Sequence, residues 1–284
     1  MTSAEQPTPY GTGKAASPVP PKRVRISYLQ QLKDSGGKFA MLTAYDQYTA
    51  AIFDEAGIET LLIGDSAANN VMGHETTLPI TLDEMIVFAK SVSSGANRAL
   101  IVCDLPFGSY EVSPAQAIAS SVRLMKEAGV QAVKMEGGAH YADHVRSMTA
   151  AGIPVMAHIG FTPQSEHALG GYKVQGRGDA AQAVVDDAVA LTEAGAFCVL
   201  MEMVPAEVAA AVDAAVPVPT IGIGAGSATT GQVLVWQDMA GLGAGKAPRF
   251  VKTYADLRTV LSTAAREFAD EVRTGVFPGP EHSF

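Results

Sequence analysis

The sequence is poor in cysteine, in aromatic residues and in positive charge. Its 284 residues include two cysteines and one tryptophan, and aromatic residues make up 7%. Cys103 and Cys198 both lie inside short apolar runs, which predicts free, buried thiols in a reducing compartment rather than a disulfide framework. Lysine and arginine total 20 against 29 aspartates and glutamates, a net charge of −9. Because nucleic acid and anionic membranes attract basic surfaces, we expect neither as a partner.

Long hydrophobic runs are also lacking, although hydrophobic residues make up 48% of the chain. No run is long enough to predict a membrane span, and residues 1–22 lack the apolar centre of a signal peptide, so we expect a cytoplasmic protein. Residues 1–23 are rich in proline, serine, threonine and glycine, which predicts a flexible N-terminal arm. Residues 24–284 then form a single catalytic domain that ends in C-terminal helices.

Eight short apolar runs follow the arm and predict buried parallel strands. The predicted strands are Ala40–Ala44, Thr60–Gly64, Ala99–Cys103, Ala132–Met135, Pro154–Ala157, Phe197–Met201, Thr220–Ile223 and Gln232–Trp236. Between most of them lie amphipathic segments with helix-start signals, at Thr81–Glu84 and Ser113–Gln116, and with helix-ending glycines at positions 57, 129, 152 and 195. This alternation predicts an α/β fold, a (β/α)8 TIM barrel. The alternative is an open doubly wound sheet, which is disfavoured because no dinucleotide-type glycine loop follows the first strand.

Three segments interrupt the pattern. Only a glycine-rich turn, Ala225–Gly231, separates the last two strands, and helical segments around Tyr254–Ala269 and beyond are expected to cover the barrel or contact other subunits. The segment Gly160–Gly178 is long and glycine-rich, which favours a lid or binding loop over an inert insertion. Gly222–Gly226 follows the seventh strand, and it is equally typical of a phosphate site and of a tight turn.

Ionisable residues stand at the ends of five successive predicted strands. They are Asp65, Asp104, Glu136, His158 and Glu202. Each one alone is compatible with a helix cap, a loop charge or a hydrogen-bonded core histidine. As a set they favour a functional site, because the carboxyl ends of barrel strands form the active-site floor and burying so many charges without partners is costly.

Strand geometry refines this prediction. Lys134 and Glu136 are two residues apart, so they point to the same side of the fourth strand. Asp65, Asp104 and Glu136 come from neighbouring strands and offer only oxygen atoms, which suits Mg²⁺ with some of its waters retained. Zinc is not expected, because no paired cysteine or histidine spacing occurs.

Ten collinear motifs resemble one enzyme family. They are LTAYD (42–46), IGDS (63–66), GHETTLP (73–79), DLPFGSY (104–110), VKMEGG (133–138), AHIGFTPQS (157–165), GGYKVQGRG (170–178), MEMVP (201–205), IGIGAG (221–226) and PGPEHSF (278–284). Together they cover the chain from about residue 24 to its end, and they closely resemble the ketopantoate hydroxymethyltransferases, the 3-methyl-2-oxobutanoate hydroxymethyltransferases of pantothenate biosynthesis.

The resemblance implies a Mg²⁺-dependent barrel that transfers a one-carbon unit from 5,10-methylenetetrahydrofolate, as co-substrate, to 3-methyl-2-oxobutanoate. It implies also a homo-oligomer, in this family a decamer, whose only other partners are small-molecule substrates.

At matching positions the resemblance assigns roles to single residues. Asp65, Asp104 and Glu136 are implied as the metal site, with the two aspartates also near substrate. Ser66 and Lys134 are implied to hold the oxoacid.

Two assignments stay open. Glu202 is implied as the proton acceptor, whereas His158 is either a second candidate base or a neutral hydrogen-bond partner of the substrate.

The main rival function is that of another Mg²⁺-dependent 2-oxoacid enzyme, of the isocitrate lyase and phosphoenolpyruvate mutase type. A binding protein that keeps the barrel without activity is disfavoured by the intact set of charged residues.

Overall fold

The computed structural model describes residues 23–245 and 247–284, and its centre is a closed barrel of eight parallel strands. The strands are β1 Phe39–Thr43, β2 Thr60–Ile63, β3 Leu100–Asp104, β4 Ala132–Glu136, β5 Val155–Gly160, β6 Cys198–Glu202, β7 Thr220–Ile223 and β8 Gly231–Leu234. Each strand pairs with the next along the chain, and β8 pairs with β1. The predicted (β/α)8 barrel is therefore confirmed, while the predicted arm lies outside the described residues except for its last position.

Helices surround the barrel in chain order. They are α1 Ile26–Ser35, α2 Gln47–Glu55, α3 Ala67–Asn70, α4 Leu82–Gly95, α5 Pro114–Ala128, α6 Ala142–Ala150, α7 Glu166–Leu169, α8 Ala181–Glu193, α9 Ala206–Ala215, α10 Trp236–Met239 and α11 Leu257–Thr274. The predicted helix starts are confirmed: Thr81 forms a capping box with Glu84, and the Ser113 side chain accepts the Gln116 amide. The glycines at 57, 129, 152 and 195 all adopt positive φ where helices end.

Apolar side chains fill the inside of the barrel at its amino-terminal end. Leu100, Val102, Ala132, Met156 and Leu200 belong to this interior cluster, and Leu29 of α1 packs against it from below. A second and larger cluster lies between the strands and the outer helices. The barrel is thus a filled core at one end, which leaves its carboxyl end as the place for a cavity.

The polar residues at the strand ends face the inside of the barrel, as the apolar residues two positions before them do. Asp104 follows Val102 by two positions, Lys134 follows Ala132, and Glu202 follows Leu200, so each of these polar side chains faces the barrel axis. The strands also run one to three residues further than predicted at β3, β4, β5 and β6, because their backbone pairing continues through the polar residues.

Gly160 allows β5 to reach its last pairing with β6. Its φ is +87°, and a Cβ at this position would lie 2.5 Å from the Glu202 carbonyl oxygen. Any side chain would therefore clash with the neighbouring strand, and the predicted long loop begins at a position that requires glycine.

The end of the chain departs from the regular pattern. No helix stands between β7 and β8, as the short turn predicted, and β8 is followed by the one-turn α10. The final segment forms one helix, α11, which has no buried residue, so it does not cover the barrel within its own chain. Among the described residues, no helix is both long enough and apolar enough to span a membrane.

Candidate active site

A cavity of about 300 Å³ opens at the carboxyl ends of the strands. All seven residues predicted for the site line it: Asp65, Ser66, Asp104, Lys134, Glu136, His158 and Glu202. The barrel therefore brings together side chains from five strands that are distant in sequence. Their individual roles stay predictions.

Lys134 is the central charge of the cavity. It is 3% exposed, and its Nζ lies 3.1 Å from Asp104 Oδ1, 3.3 Å from Glu136 Oε1 and 2.9 Å from His158 Nδ1. Burial alone would lower the pKa of Lys134, but the surrounding carboxylates outweigh burial and raise it. The Lys134 side chain is consequently protonated and positively charged at the bottom of the cavity.

The three predicted metal carboxylates have different environments. Burial, reinforced by Glu136 and Asp104, raises the pKa of Asp65 well above its usual value. Burial also raises the pKa of Asp104 to about 6, against the opposing charge of Lys134. For Glu136 the effect of burial is outweighed by Lys134 and His158, and its pKa falls to about 2. Lys134 therefore outweighs the effect of burial at Glu136, whereas burial and the neighbouring carboxylates outweigh Lys134 at the two aspartates.

His158 has its ring orientation determined by Lys134. Burial and the Lys134 charge lower the pKa of His158, so the imidazole is neutral near pH 7. His158 Nδ1 lies 2.9 Å from Lys134 Nζ and 3.2 Å from Glu136 Oε1, so it accepts from the ammonium in one tautomer and donates to the carboxylate in the other. On the opposite side of the ring, Nε2 lies 3.5 Å from Glu202 Oε2.

Glu202 ends β6 at the rim of the cavity. Burial, with a further contribution from Glu136, raises its pKa to about 8. The next residue, Met203, has φ of +48°, an uncommon left-handed conformation for a side chain of this size. Backbone hydrogen bonds to Ile223 and Gln175 hold Met203 in place. No sequence signal indicated this strained turn beside the candidate base.

Ser66 lies directly after Asp65 at the start of α3. Its Oγ is 2.8 Å from the hydroxyl of Tyr45, a buried residue whose pKa is raised to about 12 chiefly by burial. The backbone N–H of Asp65 donates to Asp104 Oδ2 at 2.9 Å. These contacts hold the ends of β1, β2 and β3 together at the cavity.

Gln164 is a polar residue of the site that sequence reasoning did not single out. It is buried, its backbone N–H donates to Glu136 Oε2 at 3.0 Å, and its amide nitrogen donates to Asp65 Oδ2 at 2.8 Å. The available signal was its place in the motif AHIGFTPQS at 157–165, which marks a position without indicating a contact.

The segment Gly160–Gly178 is more ordered than a plain loop. It contains a 3-10 turn at Pro163–Ser165 and the one-turn α7, and both Pro163 and Tyr172 line the cavity. Tyr172 packs against Phe161, with ring centroids 4.6 Å apart. Two residues of the segment thus line the cavity, which supports its interpretation as a lid or binding loop.

The glycine-rich turn after β7 is held by side chains of the turn itself and of β8. Gln232 Nε2 donates to the Gly226 carbonyl oxygen at 2.8 Å and to Thr229 Oγ1 at 2.7 Å. Of the two interpretations left open for Gly222–Gly226, these contacts favour the tight turn.

Among residues 23–245 and 247–284, no group of three or more histidine, cysteine, aspartate or glutamate side chains is arranged so that it could hold a metal ion. Both Glu136 oxygens are already engaged, one by Lys134 and His158 and the other by the Gln164 backbone. The three-carboxylate metal site therefore stays a prediction.

The fold and the cavity together define a class of protein. A closed parallel barrel with a buried lysine, carboxyl groups and a histidine gathered in one cavity at the carboxyl ends of its strands is typical of a (β/α)8 barrel enzyme.

Comparison with known proteins identifies the family. The family model for ketopantoate hydroxymethyltransferase matches residues 23–280. A 3-methyl-2-oxobutanoate hydroxymethyltransferase of Paenarthrobacter aurescens is 68% identical, covering 100% of this chain and 97% of the relative. A relative of the same name from a Nocardioides species is 61% identical over 99% of this chain and 98% of its own. The chain belongs to the ketopantoate hydroxymethyltransferase family, and its predicted classification as a transferase is confirmed.

More distant solved structures share the fold. A 2,3-dimethylmalate lyase of the phosphoenolpyruvate mutase and isocitrate lyase superfamily is 15% identical, with a TM-score of 0.57 and 91% of both chains covered. A phosphonopyruvate hydrolase in complex with oxalate and Mg²⁺ is 16% identical, with a TM-score of 0.58, covering 90% of this chain and 92% of its own. At this identity the likeness concerns the barrel alone.

The raised pKa of Glu202 predicts a pH-dependent stability difference. The folded state retains a proton on Glu202 up to about pH 8, whereas an unfolded glutamate loses it near pH 4.3. The native protein therefore loses stability as pH rises through this window. We expect Glu202→Gln to melt at nearly the native temperature at pH 4.5 and several degrees higher at pH 8.5, in chelator-treated protein followed by circular dichroism.

Glu127→Gln serves as the control, because Arg123 lowers the pKa of this exposed glutamate. Its effect should be equal at pH 5 and pH 8.5. A difference between Glu202→Gln and the native protein that does not grow with pH would contradict the burial argument.

Proposed function

We propose that the chain transfers a hydroxymethyl group from 5,10-methylenetetrahydrofolate to 3-methyl-2-oxobutanoate, giving 2-dehydropantoate and tetrahydrofolate with consumption of one water. The observation that carries the proposal is the single cavity lined by all seven residues that the family motifs supply. Membership in a family whose relatives are named 3-methyl-2-oxobutanoate hydroxymethyltransferases supports the choice of the oxoacid and of the transferred group. Supply of pantothenate, and through it coenzyme A, is then the metabolic role, in the cytoplasm.

The two aspartates fit a hard divalent cation. Asp104 Oδ1 is buried and makes no well-aligned hydrogen bond, although Lys134 Nζ lies 3.1 Å away, and burial together with the neighbouring carboxylates raises the pKa values of Asp65 and Asp104. We therefore assign Mg²⁺ to Asp65 and Asp104, with Glu136 reaching it through water because both Glu136 oxygens have partners. When bound, Mg²⁺ supplies positive charge that polarises the keto group of the oxoacid.

Lys134 and Ser66 have the placement needed to hold the oxoacid. The Lys134 ammonium supports the negative charge that develops on the substrate oxygen when the C3 proton leaves. The Ser66 hydroxyl also lines the cavity, and it forms a hydrogen bond with the Tyr45 hydroxyl. Both groups are positioned by buried partners before substrate arrives, so little reorganisation accompanies the reaction.

Glu202 is better suited than His158 to take the C3 proton. Burial and the Lys134 charge lower the pKa of His158, which weakens the imidazole as a base, and its Nδ1 is engaged by Lys134 or Glu136 in either tautomer. A carboxyl group whose pKa lies at about 8 is close to neutral pH, where a general base works best. In this assignment His158 is a neutral hydrogen-bond partner of Glu202 or of the substrate.

The rival 2-oxoacid lyase function has less support. A lyase of that type is expected to carry a reactive cysteine in a loop. Cys103 and Cys198 are instead buried within β3 and β6. Burial raises the pKa of both thiols, which keeps them protonated and unreactive.

Turnover tests the proposed reaction and its cation requirement together. Purified enzyme should form 2-dehydropantoate from 3-methyl-2-oxobutanoate and 5,10-methylenetetrahydrofolate, lose this activity in EDTA and regain it with Mg²⁺. Product formation is measured by mass spectrometry, with isocitrate as the comparison substrate. Cleavage of isocitrate would support the rival function, and full activity after exhaustive chelation would exclude the cation assignment.

Proton exchange at C3 tests the choice of base. In ²H₂O without folate, we expect Glu202→Gln to slow deuterium uptake into 3-methyl-2-oxobutanoate by about 100-fold or more, because the variant keeps the shape but cannot accept the proton. The measurement is ¹H NMR of the substrate. His158→Asn provides the comparison and should slow exchange less. Exchange at the native rate in Glu202→Gln would show that another group removes the proton.

We propose also that the chain forms a homo-oligomer, as its resemblance to the family implies. The supporting observation is α11, on which Leu261, Phe268 and Val272 form an apolar stripe that is 48–56% exposed within its own chain. A stripe of this kind is normally covered by another protein surface.

The oligomer predicts a variant that separates the subunits. Leu261→Asp places a charge in the α11 stripe and should reduce the particle mass measured by light scattering, while Arg266→Gln elsewhere on the helix should leave it unchanged. A native particle mass equal to the 29.5 kDa chain would contradict assembly.

A further inference from the structure

Gln164 is a buried glutamine at the beginning of the segment that follows β5. It lies in the 3-10 turn Pro163–Ser165 and is 6% exposed, whereas glutamine is mostly found on protein surfaces. Such deep burial requires that its polar atoms have partners, and the structure supplies one for each end of the amide.

The side chain connects three neighbouring parts of the site. Its Nε2 donates to Asp65 Oδ2 at 2.8 Å and to the Leu105 carbonyl oxygen at 2.9 Å. Its Oε1 accepts from the Tyr110 hydroxyl at 2.7 Å, which is shorter than the 3.1 Å from that hydroxyl to the Glu136 carbonyl oxygen. The opposite amide orientation would place an oxygen against two acceptor oxygens, so these contacts determine which end of the amide faces Asp65.

The backbone N–H of Gln164 contacts a further residue of the site, Glu136. The Gln164 N–H donates to Glu136 Oε2 at 3.0 Å, so one residue contacts carboxylates on β4 and directly after β2. With Asp65 Oδ2 accepting from Gln164, the other Asp65 oxygen is the one left to bind a ligand. The contact thereby selects the direction in which Asp65 presents its free oxygen.

We propose that Gln164 is a positioning residue that orients Asp65 relative to Glu136, and that Tyr110 acts through it by holding the amide oxygen. The proposal rests on the proposed function in one respect, the assignment of a divalent cation to Asp65 and Asp104. Gln164 lies near the beginning of the segment 160–178. Its contacts with Asp65 and Glu136 therefore link this segment to the two carboxylates.

Gln164→Met tests this role, because methionine fills a similar volume without donating or accepting in the same way and leaves the backbone contact to Glu136 in place. Mg²⁺ alone is titrated into the protein by calorimetry. We expect its dissociation constant to rise about 10- to 100-fold, the range typical for loss of a residue that orients a ligand. We expect kcat to fall by a similar factor while the KM for 5,10-methylenetetrahydrofolate stays within about twofold.

Gln182→Met is the matched control. Gln182 is exposed on α8, where its amide donates to Asp186 four residues later, and it is remote in the sequence from every residue of the site. Its Mg²⁺ affinity and kcat should equal those of the native enzyme, and its melting temperature shows the effect of the substitution type alone.

Tyr110→Phe keeps the ring and removes the hydroxyl that contacts both Gln164 Oε1 and the Glu136 carbonyl oxygen, so it provides a milder variant if Gln164→Met folds poorly. We expect it to weaken Mg²⁺ binding about threefold or more. In the double variant the Tyr110 substitution should add less to the effect of Gln164→Met than it causes alone, because the shorter of its two contacts is with Gln164. Additive effects would show that Tyr110 acts independently.

The outcomes separate the two proposals. If the native enzyme binds no Mg²⁺, the cation assignment is wrong, and kcat then decides the role of Gln164 alone. A folded Gln164→Met with native kcat, or with native Mg²⁺ affinity where the native enzyme binds the ion, overturns the positioning role. A fall in melting temperature without either change would mark Gln164 as purely structural.

Discussion

The site depends on one buried lysine among carboxylates. Lys134 lies within 3.3 Å of both Asp104 and Glu136, and none of these groups could remain charged alone at this depth. The cation holds Glu136 ionised and contacts His158 Nδ1. Burial and the ionised Glu136 in turn raise the pKa of Glu202 at the rim of the cavity, against the opposing charge of Lys134.

The same interaction explains why the carboxylates differ from one another. Lys134 lowers the pKa of all three carboxyl groups, but burial and the neighbouring carboxylates outweigh it at Asp65 and Asp104, whose pKa values are raised. A divalent cation would offset this cost of ionising the aspartates, which is the physical reason for assigning it to them rather than to all three carboxylates. Gln164 then links Asp65 to Glu136.

The barrel makes this electrostatic arrangement possible because its strands have a period of two. Ala132, Lys134 and Glu136 share the inward face of β4, so the strand that contributes to the apolar interior also carries the charged groups. The interior is closed below by apolar residues and α1, which keeps the charges out of bulk water. The cost of burying them is offset by their mutual contacts and, in our proposal, by a cation and a substrate.

Much of this could be predicted from sequence because it depends on local regularities. Apolar runs bounded by glycine predicted all eight strands, Thr81 and Ser113 predicted helix starts, and spacing by two placed Lys134 and Glu136 on one face. The family motifs supplied the membership that the comparisons established.

Contacts between segments distant in the chain were decided only by the tertiary structure. The link from Gln164 to Asp65 spans 99 positions, and no periodicity encodes it. The orientation of His158, the left-handed turn at Met203 and the position of α11 away from its own barrel likewise depend on neighbours from other elements. The sequence by itself determined which groups reach the carboxyl end of the barrel, since strand period and length are local properties. The tertiary structure decided which of those groups pair and which remain available, because pairing depends on distances between strands.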